Sequence, residues 1–428
     1  MLSRDDALSI WRAAVAAADP FARVRDYLAA PGNAARRAIA SGGWVVVLGG
    51  GKAGALMAAG VEAGLADQLH RLTGLQNVPA GSLRPLSRIG LREARPAGSN
   101  QPTAEGVAAV EEQFRLVDSM YPGDLALCLL SGGGSALLPA PAEGVSLADK
   151  QEVTRLLHAS GGTIEEMNCV RKHLSRIKGG RLAQRLVARG VGVLGLILSD
   201  VVGDPLDAIA SGPTAPDPTT FADALAVLDR FGLKGRVPSA VVRVLERGEA
   251  ETPKSLPDSV SNVVLINNAG ALAAACTHAE TLGYRVVNLG PYIEGETRAV
   301  ADTLARILRG QGGRTALISG GETTVTLGPN PGKGGRNQEF VLACLMRLGL
   351  DHIGDAVILS AGTDGEDGPT DAAGAVGDRD TLLKALGWNV QEFLDRHDAY
   401  PFFDARGGLL RTGLTQTNVM DVRVMLVR

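Results

Sequence analysis

Short runs of consecutive apolar residues alternate with longer stretches of helical periodicity along this 428-residue chain. Residues 44–48 (WVVVL), 125–130 (LALCLL), 193–198 (VLGLIL), 262–266 (NVVLI), 284–287 (YRVV), 315–318 (TALI) and 356–360 (AVILS) are nearly continuously apolar. Strands of that kind are covered on both faces, so the pattern predicts an α/β fold: a largely parallel sheet with helices packed on it. Near the start, Ala7, Ile10, Trp11, Ala14 and Val15 fall on one face of a helix. At the other end, residues 421–427 (DVRVMLV) alternate with period two and predict an antiparallel strand closing a hairpin. Most of the apolar runs end at once in glycine, serine or aspartate, and ligands of such sheets bind beyond the carboxyl ends of the strands.

A chain of this length exceeds one core, so two domains are expected. Residues 234–261 are polar and carry Pro238, Pro253 and Pro257, which places the boundary there: one domain over 1–255, a second over 256–428. The net charge of −3 and the lack of a basic tract argue against a nucleic-acid partner. No apolar run approaches the length needed to span a bilayer. Asp5 and Asp6 stand where a signal peptide would be basic, so a cytoplasmic protein is expected. Cys128, Cys169, Cys276 and Cys344 are scattered, with no CxxC pair, and read as free thiols.

The loops carry the chemistry. In WVVVLGGGKAG, Gly49, Gly51 and Gly54 satisfy the spacing of a dinucleotide fingerprint, but the window about 20 residues on, LHRLTGLQNVPAG, has no acid to hold a ribose. A P-loop reading fails as well, because Ala53 follows the lysine where Ser or Thr is needed. What remains is Gly50, Gly51 and Lys52 at a strand-to-helix turn, which suits an anion or is simply a tight turn beside a solvated lysine. Ser131, Gly132, Gly133, Gly134 and Ser135 repeat the arrangement after the second apolar run and would cradle phosphates with N–H and hydroxyl donors. Thr163 and Glu166 form a capping box, and the helix they start would line up Asn168, Arg171, Ser175 and Lys178. That row is either a phosphate- or carboxylate-binding face or a solvated basic one. Asp200 and Asp204 follow the run at 193–198, where carboxylates serve as magnesium ligands, as bases or as turn formers. In the second half, Glu322 follows two glycines, and GKGGRNQE places Lys333, Arg336, Asn337 and Glu339 at a helix start. AGTDGEDG supplies Asp364. The six histidines are isolated and no G-x-S-x-G elbow occurs. Phosphoryl transfer, which needs positioning and charge stabilisation more than a protein nucleophile, is the chemistry left.

Taken in order, VVLGGGKAG, LLSGGGSALLPAP, NCVRKHLSRIKGGRLA, LSDVVGDPLDAIASGPTAPDPTT, SGGETTVTL, GKGGRNQE and AGTDGEDGPTDAAGA resemble the class II glycerate 2-kinase family, from about residue 5 to the end. The resemblance implies a larger Rossmann-like three-layer α/β/α domain with a mostly parallel sheet, a smaller MOFRL-type α/β domain with a mixed sheet, and an active site in the cleft between them. It implies ATP- and magnesium-dependent phosphorylation of D-glycerate at its 2-hydroxyl, with homo-oligomerisation left open. The family's lysine falls on Lys52, its arginine on Arg336, and its acids on Asp200, Asp204 and Asp364. On this reading Lys52, Arg336 and Asp200 are catalytic, with Asp204 and Asp364 the metal candidates. Gly50, Gly51, Ser131–Ser135, Arg171, Lys178, Glu322, Asn337 and Glu339 bind substrate or phosphate. Two stretches depart from the family pattern: residues 93–106, with Arg95-Pro96 and no histidine, and GLTQTNV, where Leu414 and Gln416 stand for proline and glycine. A nicotinamide-dependent hydroxypyruvate reductase and a non-catalytic nucleotide- or sugar-acid-binding protein remain the alternatives.

Overall fold

A computed structural model describes residues 3–96 and 101–428. Residues 97–100, within the first departing stretch, lie outside the described residues. The chain divides into two units, one formed by Pro20–Leu265 and the other by Met1–Asp19 together with Ile266–Arg428. The first is inserted into the sequence of the second; they are called here the inserted and the terminal unit.

The inserted unit is built on β1 (Val45–Gly50), β2 (Leu72–Pro79), β3 (Ile89–Arg95), β4 (Leu125–Leu130), β5 (Gly192–Leu198) and β6 (Val260–Ile266), in the order β3-β2-β1-β4-β5-β6. The pairings β1–β2, β1–β4, β2–β3 and β4–β5 are parallel. β1 and β4 are buried at every position, as their apolar runs require. The order reverses between β1 and β4, and the loops after those two strands therefore flank the switch point of the sheet.

The terminal unit contains β7 (Arg285–Asn288), β8 (Gly295–Glu296), β9 (Thr315–Gly321), β10 (Thr323–Thr324), β11 (Val357–Gly362), β12 (Gly374–Asp378), β13 (Leu409–Leu410) and β14 (Asp421–Val427). β8 and β10 pair with each other; the rest form a mixed sheet in the order β13-β12-β11-β14-β9-β7. β7 and β9 are parallel, and β14 runs antiparallel to both β9 and β11.

Three expectations change. β6 does not open the second unit; it is the edge strand of the first sheet. The polar, proline-bearing stretch before it is not a linker, because its polar groups are used internally. Thr252 donates to Asp217 Oδ2 at 3.1 Å, Pro253 O accepts from Asp217 N at 3.0 Å, and Glu251 accepts from Phe221 N at 3.0 Å. The division thus falls at 265/266 instead of 255/256. Second, the N-terminal helix Arg4–Ala17 belongs with the C-terminal half, and its stripe of Ala7, Ile10, Trp11 and Ala14 is buried there. Trp11 Nε1 donates to Ala361 O at 3.3 Å, and Arg4 forms a two-pronged pair with Asp378 at 2.7 and 2.8 Å. Third, the C-terminus is no hairpin: β13 pairs with β12, while β14 is a central strand between β11 and β9. Among the described residues no helix is long and apolar enough to cross a membrane.

Candidate active site

The two glycine loops at the switch point of the inserted unit are locked to each other. Lys52 N donates to Gly132 O at 2.8 Å, and Ala53 N donates to Ser131 Oγ at 3.1 Å. The fit leaves no room for a side chain: a Cβ on Gly51 would lie 1.9 Å from Ser131 Oγ, and one on Gly132 would lie 2.0 Å from Asp200 Oδ2. Glycine is demanded here by close backbone approach, and Asp200 is placed directly against the phosphate-cradle candidate. Lys52 is exposed just before the helix Gly54–Gly64, whose cap residue Ala53 offers no side-chain acceptor. At Gly133, with φ +74°, the nearest side-chain atoms would be Arg95 Nη2 at 3.0 Å and Lys52 Cγ at 3.2 Å.

Amides hold the first loop from beneath. Gln113, fully buried on the helix Ala104–Asp118, accepts from Gly49 N at 3.0 Å and donates to Gly49 O at 2.8 Å. It also donates to Asn77 Oδ1 at 3.0 Å, and Asn77 in turn donates to Leu137 O at 2.8 Å. Gln76 and Asn77 therefore occupy the end of β2, where a dinucleotide fold would present its ribose-binding acid.

Ser135 is the hub of a cationic cluster. Its Oγ accepts from Arg171 Nη2 at 2.5 Å and from Lys178 Nζ, its carbonyl accepts from Lys178 Nζ at 2.7 Å, and Ser211 Oγ lies 2.9 Å from its hydroxyl. Ser211 donates onward to Asn168 Oδ1 at 3.1 Å. The predicted single helical row does not exist, since the helix Ile164–His173 ends before Ser175 and Lys178. The turn that follows still brings Lys178 back to Arg171 through Ser135. The capping box at Thr163 and Glu166 is present. Opposite, Ala210, Ser211 and Gly212 are three successive residues with positive φ (53°, 60° and 62°). Left-handed geometry at the alanine and the serine costs about 1–3 kcal/mol each, a strain that collects at binding sites. Burial lowers the pKa of Arg95, of Arg171 and, much further, of Lys178, and among the described residues no carboxylate offsets it in any of the three. Asp204 has φ 54° in the loop after β5, and Asp207 accepts from Lys172 Nζ at 2.8 Å.

In the terminal unit Arg336 begins the helix Arg336–His352 and is gripped by acids. Its Nε and Nη2 donate to Asp421 at 2.7 and 3.0 Å, and its Nη1 lies 2.9 Å from Glu322 Oε1. Burial opposes its charge, but Asp421 and Glu322 outweigh that and raise its pKa. Asp367 caps the helix from another loop, accepting from Asn337 N at 3.0 Å and Gln338 N at 2.9 Å. Burial pushes its carboxyl up to about 6 against those hydrogen bonds. Two residues expected to touch ligand are engaged by protein partners. Asn337, buried, donates to Asp421 Oδ1 at 2.8 Å and accepts from Ser360 Oγ at 2.5 Å. Glu339, also buried, accepts from Arg298 Nε at 2.6 Å and meets His397 Nδ1 at 2.9 Å. Asp364 Oδ1 accepts from Glu366 N at 3.1 Å. Among the described residues no three His, Cys, Asp or Glu side chains gather as a metal cage.

Sequence reasoning missed Gln113, Asn77, Ser211, Asp367 and Asp421, and met Arg95 only as a departure from the family pattern. Of the missed residues only the last two had a signal: an acid in a glycine-rich turn, and a single aspartate heading an apolar strand.

Residues 6–246 match a family described as a domain of unknown function, DUF4147, and residues 315–421 match the MOFRL family. A "Glycerate 2-kinase" of Pyrococcus horikoshii is 37% identical, over 90% of this chain and 88% of its own. A "Putative hydroxypyruvate reductase" of Agrobacterium vitis is 40% identical, over 98% and 93% respectively. The crystal structure of a glycerate kinase from Thermotoga maritima superposes with a TM-score of 0.88 at 35% identity, covering 99% of both chains. At these identities and coverages, with DUF4147 followed by MOFRL, the chain belongs to the glycerate kinase family.

Proposed function

We propose that this protein is a glycerate 2-kinase that transfers the γ-phosphoryl group of ATP to the 2-hydroxyl of D-glycerate. The observation that carries the reading is the cationic cluster around the second glycine loop. Arg95, Arg171 and Lys178 are turned toward the Ser131–Ser135 loop or its neighbours, and among the described residues no carboxylate pairs with them, an arrangement suited to phosphate or carboxylate oxygens. In the transfer, the glycerate 2-oxygen bonds to the γ-phosphorus, the bond from that phosphorus to the β–γ bridging oxygen breaks, and ADP leaves. Asp200 takes the hydroxyl proton, and Lys52 offsets charge on the phosphoryl oxygens. Arg336, held in a fixed orientation by Asp421, grips a phosphoryl or carboxylate group.

Magnesium, which is held largely by phosphates and one or two carboxylates, suits a site with single acids more than a cage. Asp204 is its candidate ligand in the inserted unit and Asp364 in the terminal one, and the ion would neutralise charge on the transferred group.

A hydroxypyruvate reductase is the second reading, favoured by the name of the Agrobacterium vitis relative and by the strand order. The amides at the end of β2 speak against a bound dinucleotide. A coupled assay with ATP, magnesium and D-glycerate tests the first reading; its product should be 2-phosphoglycerate, not 3-phosphoglycerate. Absence of ADP release, or NADH oxidation with hydroxypyruvate, overturns it.

A further inference from the structure

The helix Arg336–His352 has no cap of its own. Its N-cap residue is Gly335, which has no side chain, whereas Ser3 and Asn267 cap the helices Arg4–Ala17 and Asn268–Thr281 of the same unit. The N–H groups that a local cap would take, those of Asn337 and Gln338, go to the two oxygens of Asp367 at 3.0 and 2.9 Å. Asp367 is 2% exposed and stands in the loop after β11. Withdrawing a carboxylate from water is costly, and a serine or asparagine at 335 would cap the helix without burying a charge. Close packing rules that out. A Cβ on Gly335 would lie 2.2 Å from Asp367 Cγ and 2.5 Å from its carbonyl carbon, and one on Gly368 would lie 2.3 Å from Gly334 O. Two glycines and a buried acid thus keep the loop and the helix start in direct contact.

The loop so held carries Asp364. At its other end Thr363 donates to Met420 O twice, from its N–H at 3.0 Å and from its hydroxyl at 2.7 Å, next to Asp421. Asn337 closes the circuit, its Nδ2 lying 2.8 Å from Asp421 Oδ1 and 3.3 Å from Asp367 Oδ1. Asp421 is the acid that holds Arg336.

We propose that Asp367 is a positioning residue for phosphoryl transfer, fixing the helix start that presents Arg336 against the loop that presents Asp364. The inference rests on the kinase reading, in which those two side chains meet the reactants. Asp367 is itself buried with both oxygens given to the helix, so it acts through them. An amide at this position keeps the shape but offers one oxygen, and its NH2 faces a backbone N–H. The helix start then shifts, and a displacement of about 1 Å at a reacting group costs up to about a hundredfold in rate.

A double-mutant cycle with Arg336 separates positioning from plain stability. ADP release is measured with ATP, magnesium and D-glycerate, in single turnovers where the variant is slow, and scaled to the folded fraction by circular dichroism. Asp367→Asn should lower kcat/KM about tenfold or more in the wild-type background. In the Arg336→Ala background the same substitution should change it by less than about twofold, because the group it positions is gone. Asp367→Ser, which keeps one short acceptor, carries the comparison if the asparagine variant does not fold. Where Arg336→Ala is too slow to measure, the single variant decides: a merely structural acid lowers the melting temperature and leaves turnover per folded molecule in place. Wild-type kcat/KM in folded Asp367→Asn, or the same loss in both backgrounds, overturns the proposal alone. Absence of ADP release from the wild type overturns it together with the kinase reading.

Discussion

Replacing Asp421 by asparagine tests whether Arg336 is held by charge or only by shape. Asp421 is fully buried, and its carboxylate receives four interactions. Arg336 Nε reaches Oδ2, Arg336 Nη2 and Asn337 Nδ2 reach Oδ1, and Arg423 Nη2 stands 3.6 Å from Oδ2. An amide can offer only one oxygen. In either orientation its NH2 faces a donor, and two arginines lose their compensating charge. Removing one partner of a buried pair costs about 3–5 kcal/mol. Arg336 is about one-third exposed and keeps Glu322, so water and that second acid screen part of the loss, leaving about 2–3 kcal/mol. For a unit of this size each kcal/mol lowers the melting temperature by about 2–4 °C, so Asp421→Asn should melt roughly 5–10 °C lower. Turnover should fall about tenfold or more, since a misplaced guanidinium no longer meets the reacting group. Glu322→Gln is the contrast: a 44% exposed partner whose loss should cost under about 1 kcal/mol. Scanning calorimetry and the ADP-release assay read both. If Asp421→Asn melts within about 1 °C of the wild type, the charge argument is wrong.

Lys52→Ala should cut turnover by about two to three orders of magnitude while leaving the melting curve in place, because the side chain is exposed and its part is electrostatic; a melting shift instead would mark a structural role. Ser131→Ala strips the acceptor from the buried Ala53 N–H and should cost about 1–3 kcal/mol in urea unfolding, and a smaller loss would mean the loops are held otherwise. The ligand-free protein should gain stability as pH rises above 7. Lys150, pressed down to about 7 when folded against 10.5 for a solvated lysine, binds more protons unfolded between those limits, and Lys178 acts in the same direction. The gain, up to a few kcal/mol, shows as rising urea midpoints from pH 7 to 9 and should flatten in Lys150→Met.

Five of the apolar runs foretold strands because β1, β4, β5, β9 and β11 are buried almost throughout, whereas the runs on the edge strands β6 and β7 are only partly covered. β2 is not among the apolar runs, for a physical reason. Its glycine, its proline and the buried amides Gln76 and Asn77 break the apolar run, and those amides donate to the Leu129 and Leu137 carbonyls. Glycine at positions 51 and 132 was legible as a loop, but the close approaches that require it depend on the partner loop. The split unit left no local mark either: Trp11 meets Ala361 across 350 residues of sequence. Buried charges are the least readable class. Lys150 lies in an ordinary polar helical stretch, and Asp367 stands three residues after the Asp364 that the motif singles out. Nothing about their neighbours in sequence reveals that the fold closes over them.

The split unit has a consequence for biosynthesis. The apolar face of the Arg4–Ala17 helix is made before the inserted unit, yet it packs on the helix Asn268–Thr281 and on β14, which are made only after that unit is complete. At about 5–20 residues per second, that face waits roughly 20–80 s for its binding surface. The inserted unit has its whole sheet and can fold during that wait, while the first helix stays available to a holdase or to a neighbouring nascent chain. Slowing translation within residues 20–265 should lengthen that exposure without touching any residue of the finished protein.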